Sequence, residues 1–204
     1  MIRWLLYLPV SLLTTVLCYL TNWIVCFFSD RDGELHGILH LWQTWDDSLN
    51  GEFSVQCAPK FLRYDWQKHY REYKDTTQYL RSVNRDRWFA ECINDEWTLW
   101  ERFQRYACRV LWLMRNNAYG FSFYLLGHTA TPPIEVETSE NTIRAKEKNG
   151  AGWMYKDTSK IFSLFGWEVH WNNLLGWKLD TDAQLDTRSM IANRIAFFFR
   201  REGE

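Results

Sequence analysis

From Trp4 to Phe28 the chain reads WLLYLPVSLLTTVLCYLTNWIVCFF, without one charged side chain. A hydrocarbon core of roughly 30 Å needs about 20 apolar residues at 1.5 Å each, so a helix over this run is long enough to cross a bilayer. Trp4 and Tyr7 stand at one end, and Tyr19, Trp23, Phe27 and Phe28 at the other. On a helix Trp4 and Trp23 are roughly 28 Å apart, which suits two aromatic belts at headgroup depth. Pro9 falls early in the run, where it kinks a spanning helix without forbidding it. A cleavable signal peptide wants a shorter apolar region and a small-x-small site, and none follows Cys26. Lipid attachment at Cys18 wants a small residue before it, and Leu17 stands there. A buried core helix of this length without charge is rare in so small a chain. The expectation is a membrane anchor over residues 1–29. Arg3 precedes it and Arg31 follows it, so the count of basic residues does not set its orientation.

Residues 30–59 are predicted to form a connector with turn signals at SDRDGE, DDSLNGE and Pro59. Between them LHGILHLW predicts about two turns of interfacial helix, with Leu35, Ile38, Leu39 and Trp42 facing lipid or the domain. Residues 61 to about 117 predict a mainly helical stretch. Its clearest part has Trp97, Trp100, Phe103, Tyr106 and Val110 at helical spacing, against Glu101, Arg102, Arg105 and Arg109 on the other side. Asn94 is the expected cap, Glu101 and Arg105 an i,i+4 pair, and RNNAYG the stop. FSFYLLG, residues 121–127, predicts a buried strand or core segment, and Pro132-Pro133 a break.

Beyond residue 134 the pattern turns to β. Asn149-Gly150 predicts a hairpin turn. A second hairpin is expected about Asn172-Asn173, setting Trp167 opposite Lys178 and Glu168 opposite Trp177. MIANRIAFFFRR predicts a last strand. The fold class expected is α+β: an N-terminal transmembrane helix, a helical middle and a C-terminal antiparallel β-sheet, with residues 60–204 as one soluble domain.

The 204 residues carry a net charge of −1, so no global field draws the chain to nucleic acid. Mean hydropathy is −0.41 despite the apolar start, which requires a hydrophilic remainder. Aromatics make up 18% of the chain, as core and interface mass or as membrane belts. Cys18 and Cys26 lie in the apolar run. Cys57, Cys92 and Cys108 are odd in number and follow no metal spacing, which argues against a disulfide framework.

Candidate chemistry is sparse. Asp46, Ser48, Asn50 and Gly51 fit the start of a calcium loop, but residue 57 is cysteine where the loop needs glutamate. His36 and His40 could share a helix face as weak metal candidates with Asp32 and Glu34 nearby, but Gly37 stands where a zincin needs its glutamate base, and two histidines at an interface are commoner. Residues 59–87 hold eight Lys/Arg against four Asp/Glu, interleaved with aromatics. Lys60, Arg63, Trp66, Lys68, Arg71 and Lys74 there are candidates for contact with anionic lipid or a partner. Single-stranded nucleic acid is the less favoured reading of that mixture, and a solvated helix with its aromatics in the core the plainest. Cys57, Cys92 or Cys108 could pair with His69, His128 or His170, and Glu168 with Asp180 or Asp182, but no local motif supports either. There is no phosphate loop and no G-x-S-x-G. No catalytic residue and no cofactor is assigned.

The strings MIRWLLYLPVSLL, LWQTWDDSLNGE, RNNAYGFSFYLLG and LLGWKLD resemble an uncharacterised family of small tailed-phage proteins over most of the chain. That resemblance implies a phage or prophage product made in an infected bacterium, with the inner membrane as its bilayer. It carries over no chemistry. The function expected is that of a single-pass membrane accessory protein, with the bilayer and a host or phage protein as partners. An envelope hydrolase and a membrane-tethered nucleic-acid-binding protein are the alternatives.

Overall fold

The structure, a computed structural model, describes residues 1–75, 87–165, 167–181 and 188–201. It is α+β, with the long apolar helix first, further helices in the middle and antiparallel sheet towards the C-terminus. Asp182 and residues 76–86 of the basic, aromatic stretch lie outside the described residues. Two compact units are present. One, the sheet unit, comprises Met1–Ser11 and Leu126–Glu204, and the other, the helical unit, Leu12–Leu125. Helix α1 (Ile2–Val25) gives its first turns to the sheet unit and the rest to the helical unit.

In the helical unit α1 runs into a 3-10 turn, Cys26–Phe28, and a second 3-10 segment covers Gly37–Trp42. Helix α2 (Glu52–Cys57) lies against helix α3 (Leu99–Arg115). The expected helix over residues 61–117 is partly overturned. A hairpin of strands β1 (Tyr70–Asp75) and β2 (Arg87–Cys92) stands where helix was predicted. Tyr70 and Tyr73 are three apart, a spacing that also fits a helix, and the strand period shows only in β2, where Ala90 and Cys92 bury one face.

The α3 prediction holds with two changes. Its cap is Thr98, which forms a reciprocal capping box with Glu101, whereas the Asn94 side chain accepts from the Glu96 amide, ahead of the helix. Its buried face carries Gln104, Cys108, Arg109 and Leu113, while Trp100 and Phe103 stack on each other in the open. Arg109 can be buried because a neutral acceptor meets each of its three guanidinium nitrogens. FSFYLLG gives a buried π-helical turn, Phe121–Leu125, in place of a strand.

The sheet unit is built on strands β3 (His128–Thr129), β4 (Ile134–Thr138), β5 (Thr142–Glu147), β6 (Trp153–Asp157), β7 (Lys160–Leu164), β8 (Trp167–Trp177), β9 (Arg188–Ser189) and β10 (Ile191–Arg201). The main sheet runs β10-β8-β6-β5-β4, and β7 pairs with the first part of β8. The hairpin at Asn149-Gly150 joins β5 to β6 as predicted. Glu147 clamps it, accepting from the Gly152 and Thr131 amides at 3.0 and 3.1 Å and meeting His128 Nε2 at 2.7 Å.

The second expected hairpin is overturned. Asn172 and Asn173 lie in mid-strand, opposite Ala196 and Ile195, because β10 is 11 residues long and β8 matches it over its length. Trp167 faces Arg201 and Glu168 faces Arg200. The turn comes earlier, at Phe165 between β7 and β8. The core of this unit gathers Trp4, Leu126, Met154, Trp177, Leu179 and Ile191.

Candidate membrane-contact face

Apolar side chains cover most of α1, and the few polar ones decide what its two sides can do. In the sheet unit its buried positions are Trp4 and Ser11. Trp4 is 9% exposed and donates from Nε1 to the Ala192 carbonyl at 3.0 Å. Ser11 accepts from Asn193 Nδ2 at 2.9 Å. In the helical unit Cys18, Asn22 and Val25 are buried. Asn22 Nδ2 donates to Asn117 Oδ1 at 3.0 Å, and Asn117 Nδ2 donates to the Thr15 carbonyl at 2.7 Å. Trp42 Nε1 donates to Thr21 Oγ1 at 2.9 Å, and the Tyr106 hydroxyl to the Trp23 carbonyl at 2.6 Å. The helix therefore turns its hydrogen-bonding groups inward.

Outward it shows Leu5, Leu6, Leu12, Leu13, Val16 and Leu17, followed by Leu20 and Ile24. This polarity is inverted relative to a helix facing water, which buries its apolar stripe and exposes its polar one. The region from Ile2 to Phe28 is long and apolar enough to cross a membrane.

The six predicted belt residues are placed unequally. Tyr19, Trp23, Phe27 and Phe28 are exposed, with Trp23 Nε1 bonded to the Leu20 carbonyl. Phe27 stacks on Tyr106 at 4.7 Å. Tyr7 is half-buried beside the sheet-unit core, and Arg3 lies over its ring at 5.2 Å. Trp4 is in that core.

The basic candidates are largely engaged within the fold. Arg63 donates to the carbonyls of Ala58 and Gln56, Lys68 pairs with Glu101, and Arg71 with Glu91. Trp66 is buried and donates to the Asn50 carbonyl. Lys74 stands 5.9 Å from the Trp88 ring, and Lys60 is exposed.

Arg109 ties the DDSLNGE loop to α3 through Asn50. Arg109 Nε donates to Asn50 Oδ1 and Nη1 to Ser29 Oγ, both at 2.7 Å, and Nη2 reaches the Asp30 carbonyl at 2.9 Å. Burial pushes its pKa down. Gly33, at φ 81, lies so close to Asn50 that a Cβ would stand 2.8 Å from the amide side chain. Asp47 is buried in the same loop with Oδ1 unpaired, and burial, reinforced by Glu72 and Asp46, raises its pKa to about 8. A cleft of about 440 Å³ opens there between Trp45, Trp88 and Trp112.

Among the described residues no group of three His, Cys, Asp or Glu side chains could hold a metal. His36 meets Asp30 and His40 meets the Tyr124 hydroxyl, each at 2.9 Å. The nucleophile and base candidates have other partners. Cys57 lies against Arg115, His69 stacks on Trp97 at 3.6 Å, and His170 meets Glu168. The polar residues on the inner side of α1, with Asn117 and Asn193, are what sequence reasoning passed over. Their only mark in the sequence is the spacing of Ser11, Cys18 and Asn22 along one helical face.

The chain belongs to a family of unknown function (DUF7338), whose model matches residues 1–203. Comparison with the curated proteins and with the solved structures finds no match.

Proposed function

We propose that this is a membrane-held accessory protein, made by a tailed phage or prophage, that acts by interaction at the bacterial inner membrane. Modifying the host envelope, excluding a second phage or countering a defence are the tasks that fit such a protein. The observation that carries the membrane reading is the inverted polarity of α1: Ser11 and Asn22 buried, Leu12, Leu13, Val16, Leu17 and Leu20 exposed. In water that exposed strip is costly at about 25 cal/mol per Å². In lipid it costs nothing, while the inward polar groups find the partners that hydrocarbon would deny them. The resemblance to phage proteins supports the origin.

Trp4 favours a second seating of the same helix. It is packed in a core, and α1 bonds to protein near both ends. A helix attached along its length suits a seat in the plane of the interface, as well as a span with protein beside it.

Fusions after Glu204 to alkaline phosphatase and to green fluorescent protein, each followed by a carbonate wash of the membranes, test the reading. A carbonate-resistant pellet is expected, with one reporter active and the other silent. A product that stays in the supernatant overturns it.

A further inference from the structure

The sheet unit carries a second apolar surface that the fold leaves bare. Side chains alternate along a strand, so Asn193, Ile195, Phe197 and Phe199 share one face of β10. Asn193 on this face bonds to Ser11 of α1. Towards the C-terminal end the same face is uncovered, and Ile195, Phe197 and Phe199 are all exposed. Register brings Trp171 opposite Phe197, Val169 opposite Phe199, Phe162 opposite Val169 and Leu164 opposite Trp167. Trp171 and Phe197 stack at 6.2 Å. Phe162, Leu164, Trp167, Val169 and Phe199, with Phe165, line a groove of about 480 Å³.

At its tip Phe165 is 93% exposed and holds φ 53, a conformation bulky side chains seldom adopt. Such a residue, strained and without packing, points to a use outside the fold.

We infer that this end of the sheet, the β7–β8 hairpin with the last part of β10, inserts into the interfacial layer of an anionic bilayer as a second membrane contact. Charge selects the occupant. Residues 160–171 and 194–201 hold Lys160, Arg194, Arg200 and Arg201 against Glu168 alone, and Glu168 is already paired with Lys160 at 2.6 Å. A segment rich in aromatic residues and arginine suits the headgroup layer, where rings are half-wet and anionic phosphates are at hand. Depth is limited by the backbone: among the described residues β7 pairs only with β8, so its outer N–H and C=O groups need water or headgroups and cannot enter the acyl core. The choice of a bilayer over a protein partner rests on the reading of α1 given above.

The test uses the full chain, with Cys57→Ser removing the one cysteine that is not buried. An environment-sensitive nitrobenzoxadiazole dye is placed at Phe165→Cys in one preparation and at Leu13→Cys in another. Each is reconstituted in vesicles of phosphatidylethanolamine and phosphatidylglycerol, with doxyl quenchers carried near the headgroup or near the chain end. Position 165 is expected to show blue-shifted emission and a larger intensity loss with the shallow quencher than with the deep one. If position 13 is quenched while 165 keeps its aqueous spectrum, the hairpin inference fails and the anchor stands. If neither is quenched, both fail. Phe165 is exposed, so its replacement leaves the core intact.

Discussion

Asn22 on α1 donates to Asn117 at 3.0 Å, and Asn117 in turn holds the carbonyl of Thr15 about two helical turns away. This is a polar clasp on a helix that is mostly apolar. Replacing either partner alone with leucine leaves the other buried and short of a bond, at a cost of about 1–2 kcal/mol. The double replacement, Asn22→Leu with Asn117→Leu, is expected to cost less than the two singles together, because no orphaned amide remains between them. Thermal unfolding in detergent of the four proteins closes that cycle. Strict additivity would mean the clasp is not an energetic unit.

Arg109 is the second fastening. Its guanidinium bonds to Asn50, Ser29 and the Asp30 carbonyl and so ties α3 to the loops at residues 29–31 and 50. Arg109→Met keeps the stem and removes the fork, which leaves those acceptors without donors. A loss of about 3 kcal/mol or more is expected. Arg109→Lys should recover only part of it, since one ammonium cannot replace a planar fork. Denaturant titration reads both. An Arg109→Met protein of unchanged midpoint would show the network to be incidental.

How much of this was legible beforehand follows from which forces act locally. Helix α3 was readable as a helix because its periodic spacing and the asparagine stop lie within its own residues, although its cap is Thr98 and not Asn94, and Trp100 and Phe103 face out. The hairpin at Asn149-Gly150 was readable for the same reason. The run of β8 through Asn172-Asn173 was not, because it depends on the length of β10, some 20 residues on. The burial of Arg109 and the inward turn of Asn22 were hidden too. Both depend on acceptors from distant segments, whereas periodicity reports only that a residue is polar.

Asp47 predicts a pH dependence. Its pKa is raised to about 8 by burial first, then by Glu72 and Asp46. An unfolded aspartate titrates near 3.9. Between these values the folded chain binds a proton that the unfolded chain does not, so stability falls as pH rises from about 4 to 8. Asp47→Asn removes that term. The variant should gain on the parent as pH climbs through this window and show its greatest advantage above pH 8. Parallel melting curves from pH 5 to 9 would settle the sign, and an advantage that shrinks with rising pH would contradict the assignment.

The exposed side of α1 gives the sharpest contrast between water and lipid. Leu13 and Leu20 are exposed in the fold. If water covers them, Leu13→Asp with Leu20→Asp should be harmless and should raise solubility, as surface substitutions usually shift stability by no more than about 0.5 kcal/mol. If lipid covers them, each carboxylate costs about 2.5–3.5 kcal/mol at the centre of a spanning helix, and less nearer the interface. The expected outcome is loss of carbonate-resistant membrane association for the double aspartate variant, with the leucine-to-alanine pair retained in the pellet. A soluble, folded double aspartate protein would show further that the inward contacts of Ser11 and Asn22 hold the helix to the body without the bilayer, whereas an aggregated one would show that lipid is part of the fold. If the double aspartate protein stays in the membrane fraction as fully as the parent, the face of α1 that meets lipid is not the one these residues mark.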